Sequence, residues 1–390
     1  MLSLSAEKYK QYKEFVFRRV INISLVILFF LISSNRLFPI PIDKVTLPFF
    51  IAAVLLVAGG TFSLLKTEFL SLIIFMISCM LSIAANITSF SPIIVFPALG
   101  LLFSFVVSKN VRTLLLLYQS LLIHIILGIV LWVASYIQGM NDYVSSMGAK
   151  GLPFLHEAKG FTATVQTFGT LCISWLLLYE LKKKETGIGR WDKFFYNIVT
   201  IAILITFNRA TYLAYFAYLF FTHKKLLIFY CLLLSVFVIY FIDSIMLLFL
   251  NVTSLDARSD LLEGFEKSYL DSHSILIWLF GRGNNSIPAN ILQNVTIYYR
   301  SDIENGHAML LHTYGLFGYV LYITGSLYFT ISTFLKRRDY FFTCFCILYL
   351  VLLPYITQEY MSTTLYIFLC VIFFRGKQLK SRYSIKDSLN

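Results

Sequence analysis

Apolar runs long enough to cross a bilayer recur along the whole chain, and they constrain its fold more than any other feature. A helix of roughly 17–25 apolar residues spans the ~30 Å hydrocarbon core of a membrane. Such runs predict about twelve helices, near residues 17–34, 45–65, 67–87, 91–108, 112–137, 161–181, 192–207, 210–222, 226–250, 308–335, 340–356 and 360–374. The sequence therefore predicts an all-α, polytopic membrane protein with a single integral membrane domain over residues 1–390.

Composition supports this class. Apolar residues make up 58% of the chain and charged residues 13%, and the mean hydropathy is +0.77, outside the range of soluble domains. All six cysteines fall inside apolar runs, which predicts packing roles for them and no disulfide framework.

The net charge of +12 raises the question of a nucleic-acid partner, and the placement of the basic residues answers it. Most of the 32 lysines and arginines fall on segments that face inward if the amino terminus is cytoplasmic. This bias follows the positive-inside rule and predicts that both termini are cytoplasmic. The charge is then an orientation signal, and nucleic acid is not an expected partner. The first apolar run lacks a small-residue cleavage site, which predicts a retained helix and no signal peptide.

One step of this topology depends on residues 191–222. Two spans there have about 16 residues each and reach roughly 24 Å, short of a full crossing. One long helix is the alternative, but it would invert every later segment and erode the bias in positive charge. We therefore expect a short helical hairpin with Arg209 at its tip, below the outer surface, where a charge is costly unless it serves a function.

Two outer loops are predicted, residues 138–160 and the much longer residues 251–307. In the second, "LDARSDLLEGFEKSYL" places Phe265 and Tyr269 at helical spacing and predicts a short surface helix.

The stretch "ILIWLFGRGNN" follows that helix and is too short to span a membrane. Gly281 and Gly283 flank Arg282, which predicts a tight turn. We expect the loop to dip back toward the membrane at this point.

Three arginines and one histidine converge on the outer side: Arg209, Arg258, Arg282 and His307. Guanidinium groups suit the oxygens of a lipid diphosphate because they donate in bidentate pairs. The alternative is that these arginines pair with bilayer phosphates or with acidic residues of the loop, and that His307 is a helix cap. His312 lies five residues from His307, so the two rings point roughly 140° apart on a helix, and no metal site is predicted.

Three stretches resemble the O-antigen polymerase and O-antigen ligase family of bacterial envelope proteins. They are "FNRATYLAYF", "ARSDLLEGFEKS" followed by "LFGRGNN", and "GHAMLLHTYGLFG". The resemblance covers residues 200–325, and the first half of the chain is similar only in layout. It implies a GT-C-like membrane fold with a long periplasmic loop before the tenth helix.

The chain departs from the family pattern at three places. Ala308 follows the histidine where Asn or Ser is usual, and Asn208 stands where serine commonly precedes the arginine. Val165 and Gln166 occupy a position where many relatives carry a Pro-Asn pair. The arginines and the histidine themselves are retained.

The resemblance implies glycosyl transfer at the periplasmic face of the bacterial inner membrane, from an oligosaccharide linked to undecaprenyl pyrophosphate. Arg209, Arg258 and Arg282 would bind the diphosphate, and His307 would act as catalytic base or orient the acceptor hydroxyl. No cofactor or metal is implied. The expected partners are the lipid-linked oligosaccharide, the bilayer and a chain-length regulator protein.

Two alternatives to a polymerase stay open. A ligase, which transfers the finished glycan to a lipid A core sugar, shares every quoted motif; the aromatic-rich, divergent sequence and Ala308 favour a polymerase. A lipid-linked glycan flippase is of a different class and should show related halves and charges along a mid-membrane path. In this sequence the outer charges cluster at one face and in one loop.

Overall fold

A computed structural model describes most of the chain and shows a mostly helical protein. The described residues are 2–35, 37, 42–57, 64, 66–85, 92–139, 141–147, 152–240, 262–272, 274–283, 287–290, 297–300, 305–335, 338–357 and 362–387.

Helices lie along the whole described chain. They are α1 (Leu2–Ser33), α2 (Ile42–Val57), α3 (Lys66–Ala85), α4 (Phe96–Val107), α5 (Val111–Gln138), α6 (Val165–Glu185), α7 (Arg190–Leu204), α8 (Arg209–Thr222), α9 (Lys224–Tyr240), the short α10 (Ile275–Phe280), α11 (Gly306–Thr330), α12 (Tyr340–Ile347) and α13 (Thr363–Asp387). A π-helical stretch, Ile331–Leu335, continues α11. A π-helical turn, Leu348–Leu352, and a tighter 3-10 turn, Leu353–Tyr355, continue α12.

Within the described residues, each apolar run predicted from the sequence coincides with a helix or with consecutive helical turns, so these helical segments are confirmed there. Residues 58–63 and 241–250 of the predicted runs lie outside the described part. Among the residues that the structure describes, two helices, Glu68–Ala85 and Val111–Gln138, are long and apolar enough to cross a membrane by length and composition.

The prediction of a purely helical chain is incomplete, because each of the two loops predicted from the sequence contains a small antiparallel β-hairpin. Strands β1 (Val144–Met147) and β2 (Leu152–Ala158) pair within the first loop, with Val144 opposite Ala158. Strands β3 (Ile287–Asn290) and β4 (Ile297–Arg300) pair within the second. A two-stranded ladder satisfies backbone groups locally where the apolar periodicity of the helices is absent.

Helix α6 lies at the centre of the main hydrophobic core. Its residues from Val165 to Leu181 are buried, apart from Gln166, and it packs against α5, α7, α8 and α13. The Trp175 ring stacks on Tyr118 of α5 at a centroid distance of 4.7 Å. A helix that is apolar all round needs such cover on every side.

A cluster of charges joins three helix ends. The Glu68 carboxylate at the start of α3 lies 2.7 Å from the Lys377 ammonium of α13 and 3.5 Å from that of Lys109, which follows α4. Lys377 also donates to the Ser108 hydroxyl at 2.9 Å. All four residues belong to segments that the sequence assigns to the inner side.

Two further ion pairs join segments assigned to the same side. Lys182 at the end of α6 lies 2.6 Å from Asp192 at the start of α7. Arg375 of α13 lies 2.8 Å from Asp339, which precedes α12. Helix ends that the sequence places on one side are thus tied together by charge.

Candidate functional site

Helices α7 and α8 form the short hairpin expected from the sequence, and Arg209 is the first residue of α8. The chain turns at Phe207, whose φ is 46°. Asn208 is the N-cap of α8, and its side-chain oxygen accepts a hydrogen bond from the Thr211 amide at 3.0 Å. Asparagine therefore caps this helix as serine would, and the alternative of one long helix is wrong.

The hairpin tip is held from two sides. The Ala158 amide of β2 donates to the Ile205 carbonyl at 2.9 Å. Gly169 of α6 packs so closely on the Thr211 side chain that a methyl group on the glycine would collide with it. Arg209 itself is exposed. Its guanidinium is therefore accessible, while the backbone that carries it is fixed by these two contacts.

Arg258 lies outside the residues that the structure describes. Arg282 is described, and it follows α10 in the tight turn predicted from its neighbours. Gly281 and Gly283 have φ values of 80° and 65°, a conformation that glycine adopts at little cost. The predicted tight turn is confirmed.

The turn is docked on an interruption of helix α11. Gly315 has φ 66° and ψ −171°, which breaks the helix and releases carbonyl groups one turn earlier. The Arg282 amide donates to the His312 carbonyl at 2.6 Å, and the Gly283 amide donates to that of Thr313 at 3.2 Å. Backbone bonds lost within α11 are thus replaced by bonds from the loop.

The surface-helix segment ahead of α10 reaches the same place. Residues 262–265 are helical and Glu266–Leu270 form a π-helical turn. Phe265 and Tyr269 are buried against α11, and Ser268 lies 3.1 Å from the His312 imidazole. The predicted helix is therefore present, but its apolar side packs on protein.

The Tyr269 hydroxyl connects this segment to α10. It donates to the Trp278 carbonyl at 2.6 Å. Burial raises the pKa of Tyr269 to about 12, so the phenol remains a neutral donor. The whole stretch from residue 262 to Gly283 is consequently docked as one surface beside α11, with residue 273 outside the described part.

His307 occupies the first turn of α11. Asn305 caps this helix by accepting from the Ala308 amide at 3.0 Å, and the Gly306 amide donates to the Thr357 carbonyl at 2.9 Å. Arg209 and His307 thus share a local setting, the first turn of a helix capped by asparagine.

One ring nitrogen of His307 is fixed by the backbone. Nε2 lies 2.8 Å from the Val351 carbonyl oxygen, and because a carbonyl only accepts, Nε2 must carry the hydrogen. In the neutral ring Nδ1 then holds the free lone pair. Nδ1 is buried and has no hydrogen-bond partner in the described part of the chain. Its lone pair is therefore free to accept a proton from a bound group.

Two tyrosines that the sequence did not single out enclose the imidazole. The Tyr355 ring centroid lies 4.3 Å from that of His307, and the Tyr319 centroid lies 5.7 Å away. His307 is 4% exposed, although the sequence suggested a ring open to water. No local signal identifies Tyr355, because it comes from a helix 48 positions later in the chain.

The structure brings Arg282 and His307 into one neighbourhood. The Arg282 backbone bonds to His312, which lies five residues beyond His307, roughly 7.5 Å along a helix axis. Arg209 lies at the start of α8, in the hairpin that packs on α6. Helix α11 thus carries His307 and receives the Arg282 turn, while Arg209 is held by a different pair of helices.

The chain matches no model of a known protein family, and no curated protein matches it.

Proposed function

We propose that this chain is an integral membrane glycosyltransferase of the O-antigen polymerase type, with twelve crossings and both termini cytoplasmic. It would join repeat units carried on undecaprenyl pyrophosphate at the outer face of a bacterial inner membrane. The observation that carries the proposal is His307, whose tautomer is fixed by the Val351 carbonyl so that Nδ1 is an unpaired base at a helix start beside the Arg282 turn.

The chemistry requires a base for the acceptor and positive charge for the leaving group. An acceptor hydroxyl attacks the anomeric carbon of the donor sugar, and the bond from that carbon to the diphosphate oxygen breaks. The hydroxyl proton passes to Nδ1 of His307, and the electron pair leaves with the lipid diphosphate. Arg209, Arg258 and Arg282 would stabilise that developing charge, while a pre-set tautomer avoids reorganisation of the base during reaction.

The distribution of charge supports an enzyme with its site at one face. The described ion pairs around Glu68, Asp192 and Asp339 lie at helix ends assigned to the inner side. Arg209, Arg282 and His307 belong to segments assigned to the outer side. The side chains proposed to bind the lipid diphosphate thus lie on one predicted side of the membrane, and the ion pairs between helices lie on the other.

The test is polymerisation by purified protein with one lipid-linked repeat unit and no lipid A core. We expect a ladder of lipid-linked oligomers from the wild type and only the input from His307→Ala. His223→Ala is the matched control, because His223 also lies at a helix end, at the C-cap of α8, on the side assigned to the cytoplasm. It should give the full ladder, and an intact ladder from His307→Ala would refute the role of the base.

The same assay separates the other candidates. A ligase gives no ladder and shifts its product only after core lipid is added. A flippase gives neither product but moves the lipid across a vesicle membrane. One observation favours the flippase, namely the interrupted helix α11 at Gly315, since broken helices form the binding sites of many transporters.

A further inference from the structure

Tyr355 is the exposed member of the aromatic pair beside His307. Among the described residues whose rings contact the imidazole, Tyr319 is partly buried and Tyr355 is 57% exposed. A side chain that is open to solvent on one side and in contact with the candidate base on the other lies where a substrate must approach.

The chemistry of that ring suits a sugar. The face of an aromatic ring carries negative partial charge, and the C–H bonds on the apolar face of a pyranose carry weak positive charge. Stacking buries those C–H groups and leaves the hydroxyls at the rim in water. A sugar stacked on the exposed face of Tyr355 would lie beyond the phenol ring, whose centroid is 4.3 Å from that of His307. A hydroxyl at the edge of the sugar would then reach the imidazole past the rim of that ring.

We propose that Tyr355 is the stacking platform for the acceptor sugar, so that the ring presents a pyranose hydroxyl to His307. This inference rests on the proposed glycosyl transfer and assigns its acceptor subsite. The Tyr355 ring contributes a face and no charge, so it should recognise pyranoses by shape and leave the diphosphate to the arginines.

An ordinary interfacial tyrosine is the alternative, because tyrosines are enriched at membrane–water borders. The chain offers a matched control at the other end of the same helical stretch. Tyr340 begins α12 and is 56% exposed, against 57% for Tyr355 near its end. If exposure at a border were the whole explanation, the two tyrosines would behave alike.

Direct binding is measured by saturation-transfer NMR with the repeat-unit oligosaccharide, freed of lipid, on protein in detergent. We expect signal transfer for the wild type, Tyr355→Phe and Tyr340→Leu, and a loss of affinity of roughly three- to tenfold in Tyr355→Leu. Tyr355→Trp, which enlarges the stacking face, should bind at least as tightly as the wild type and keeps the test open if the leucine variant misfolds.

Kinetics provide the second readout, with the same oligosaccharide as the varied acceptor. Tyr355→Leu should raise KM for the acceptor and leave KM for the lipid-linked donor unchanged. Unaltered oligosaccharide binding in Tyr355→Leu, or weaker binding in Tyr355→Trp, would overturn the platform even if the wild type polymerises. Binding that depends on Tyr355 in a protein that forms no glycosidic bond would refute the proposed function and keep the platform.

Discussion

Gly281 and Gly315 pack backbone to backbone. A methyl group on Gly281 would lie 2.5 Å from the Thr313 carbonyl carbon and 2.6 Å from the Gly315 nitrogen. A methyl group on Gly315 would collide with the Leu279 carbonyl and with the Gly281 nitrogen. The loop that carries Arg282 can therefore dock on the interrupted helix only because neither residue has a side chain.

The first prediction concerns this contact. Gly315→Ala should lower the melting temperature of the purified protein, because alanine must adopt φ 66° and displace the loop at the same time. Positive φ alone costs of order 1–3 kcal/mol. Gly325→Ala, on the same helix with open space around the site, should be neutral or slightly stabilising. Equal melting temperatures for the two variants would contradict the docked arrangement.

The second prediction concerns the Glu68 cluster. Burial lowers the pKa of Lys377, and the Glu68 carboxylate opposes that effect. Glu68→Gln leaves a partly buried ammonium without its counter-charge and should cost about 1–3 kcal/mol of stability. Adding Lys377→Met should recover part of that loss, as a double-mutant cycle followed by thermal unfolding would show.

An exposed ion pair provides the control for that cycle. Glu263 and Lys267 face each other with side chains 54% and 51% exposed. Glu263→Gln should therefore cost less than about 1 kcal/mol. If removal of Glu68 is equally mild, the cluster does not hold the helix ends together.

The third prediction is a pH dependence at Asp43, which is 3% exposed and lies just before the second predicted span. Burial raises the pKa of this carboxyl. The backbone amide and the charge of Lys44 oppose that effect most, and the Thr363 hydroxyl at 3.5 Å opposes it least. Between the unfolded and the raised folded pKa, the folded state binds more protons. Stability therefore falls as pH rises through that window, and the cost is complete above the folded pKa.

Asp43→Asn removes the ionisable group and keeps its shape. The variant should melt higher than the wild type at pH 7, and the gain should vanish as the pH falls below the unfolded value of ~3.9. Asp192→Asn should have the opposite effect, because Asp192 binds Lys182 at 2.6 Å and the Tyr118 hydroxyl at 3.0 Å. A lower melting temperature for Asp43→Asn at pH 7 would show that the carboxylate is stabilised in the fold.

The fourth prediction separates charge from geometry at Arg209. Arg209→Lys keeps a positive charge but loses the two-pronged donor, so polymerisation should fall at least tenfold while membrane expression is unchanged. Arg190 is the matched control, since it is exposed at the same first position of α7. Arg190→Lys should retain full activity, and an active Arg209→Lys protein would exclude bidentate binding of the diphosphate.

The fifth prediction is that turnover does not require a divalent cation, because arginine side chains neutralise the leaving group. Polymerisation should proceed at the same rate with and without chelator. Loss of turnover that added Mg²⁺ or Mn²⁺ restores would contradict it.

Local patterns in the sequence determined the helices, the hairpin at Arg209 and the glycine turn at Arg282. The length of an apolar run and a pair of glycines around one arginine are visible over a few residues, and the bias in positive charge favoured the hairpin over one long helix. The β1–β2 and β3–β4 hairpins were missed, because their strands are short and lie within stretches assigned to loops.

Only the tertiary structure decided the state of His307 and the break in α11. The Val351 carbonyl that fixes the tautomer is 44 positions away, and Tyr355 comes from the same distant helix. A helix can stop at Gly315 only if Arg282 and Gly283 replace the bonds that it loses. Such partners are set by packing between remote segments, and no short-range pattern encodes which carbonyl or ring will face a given side chain.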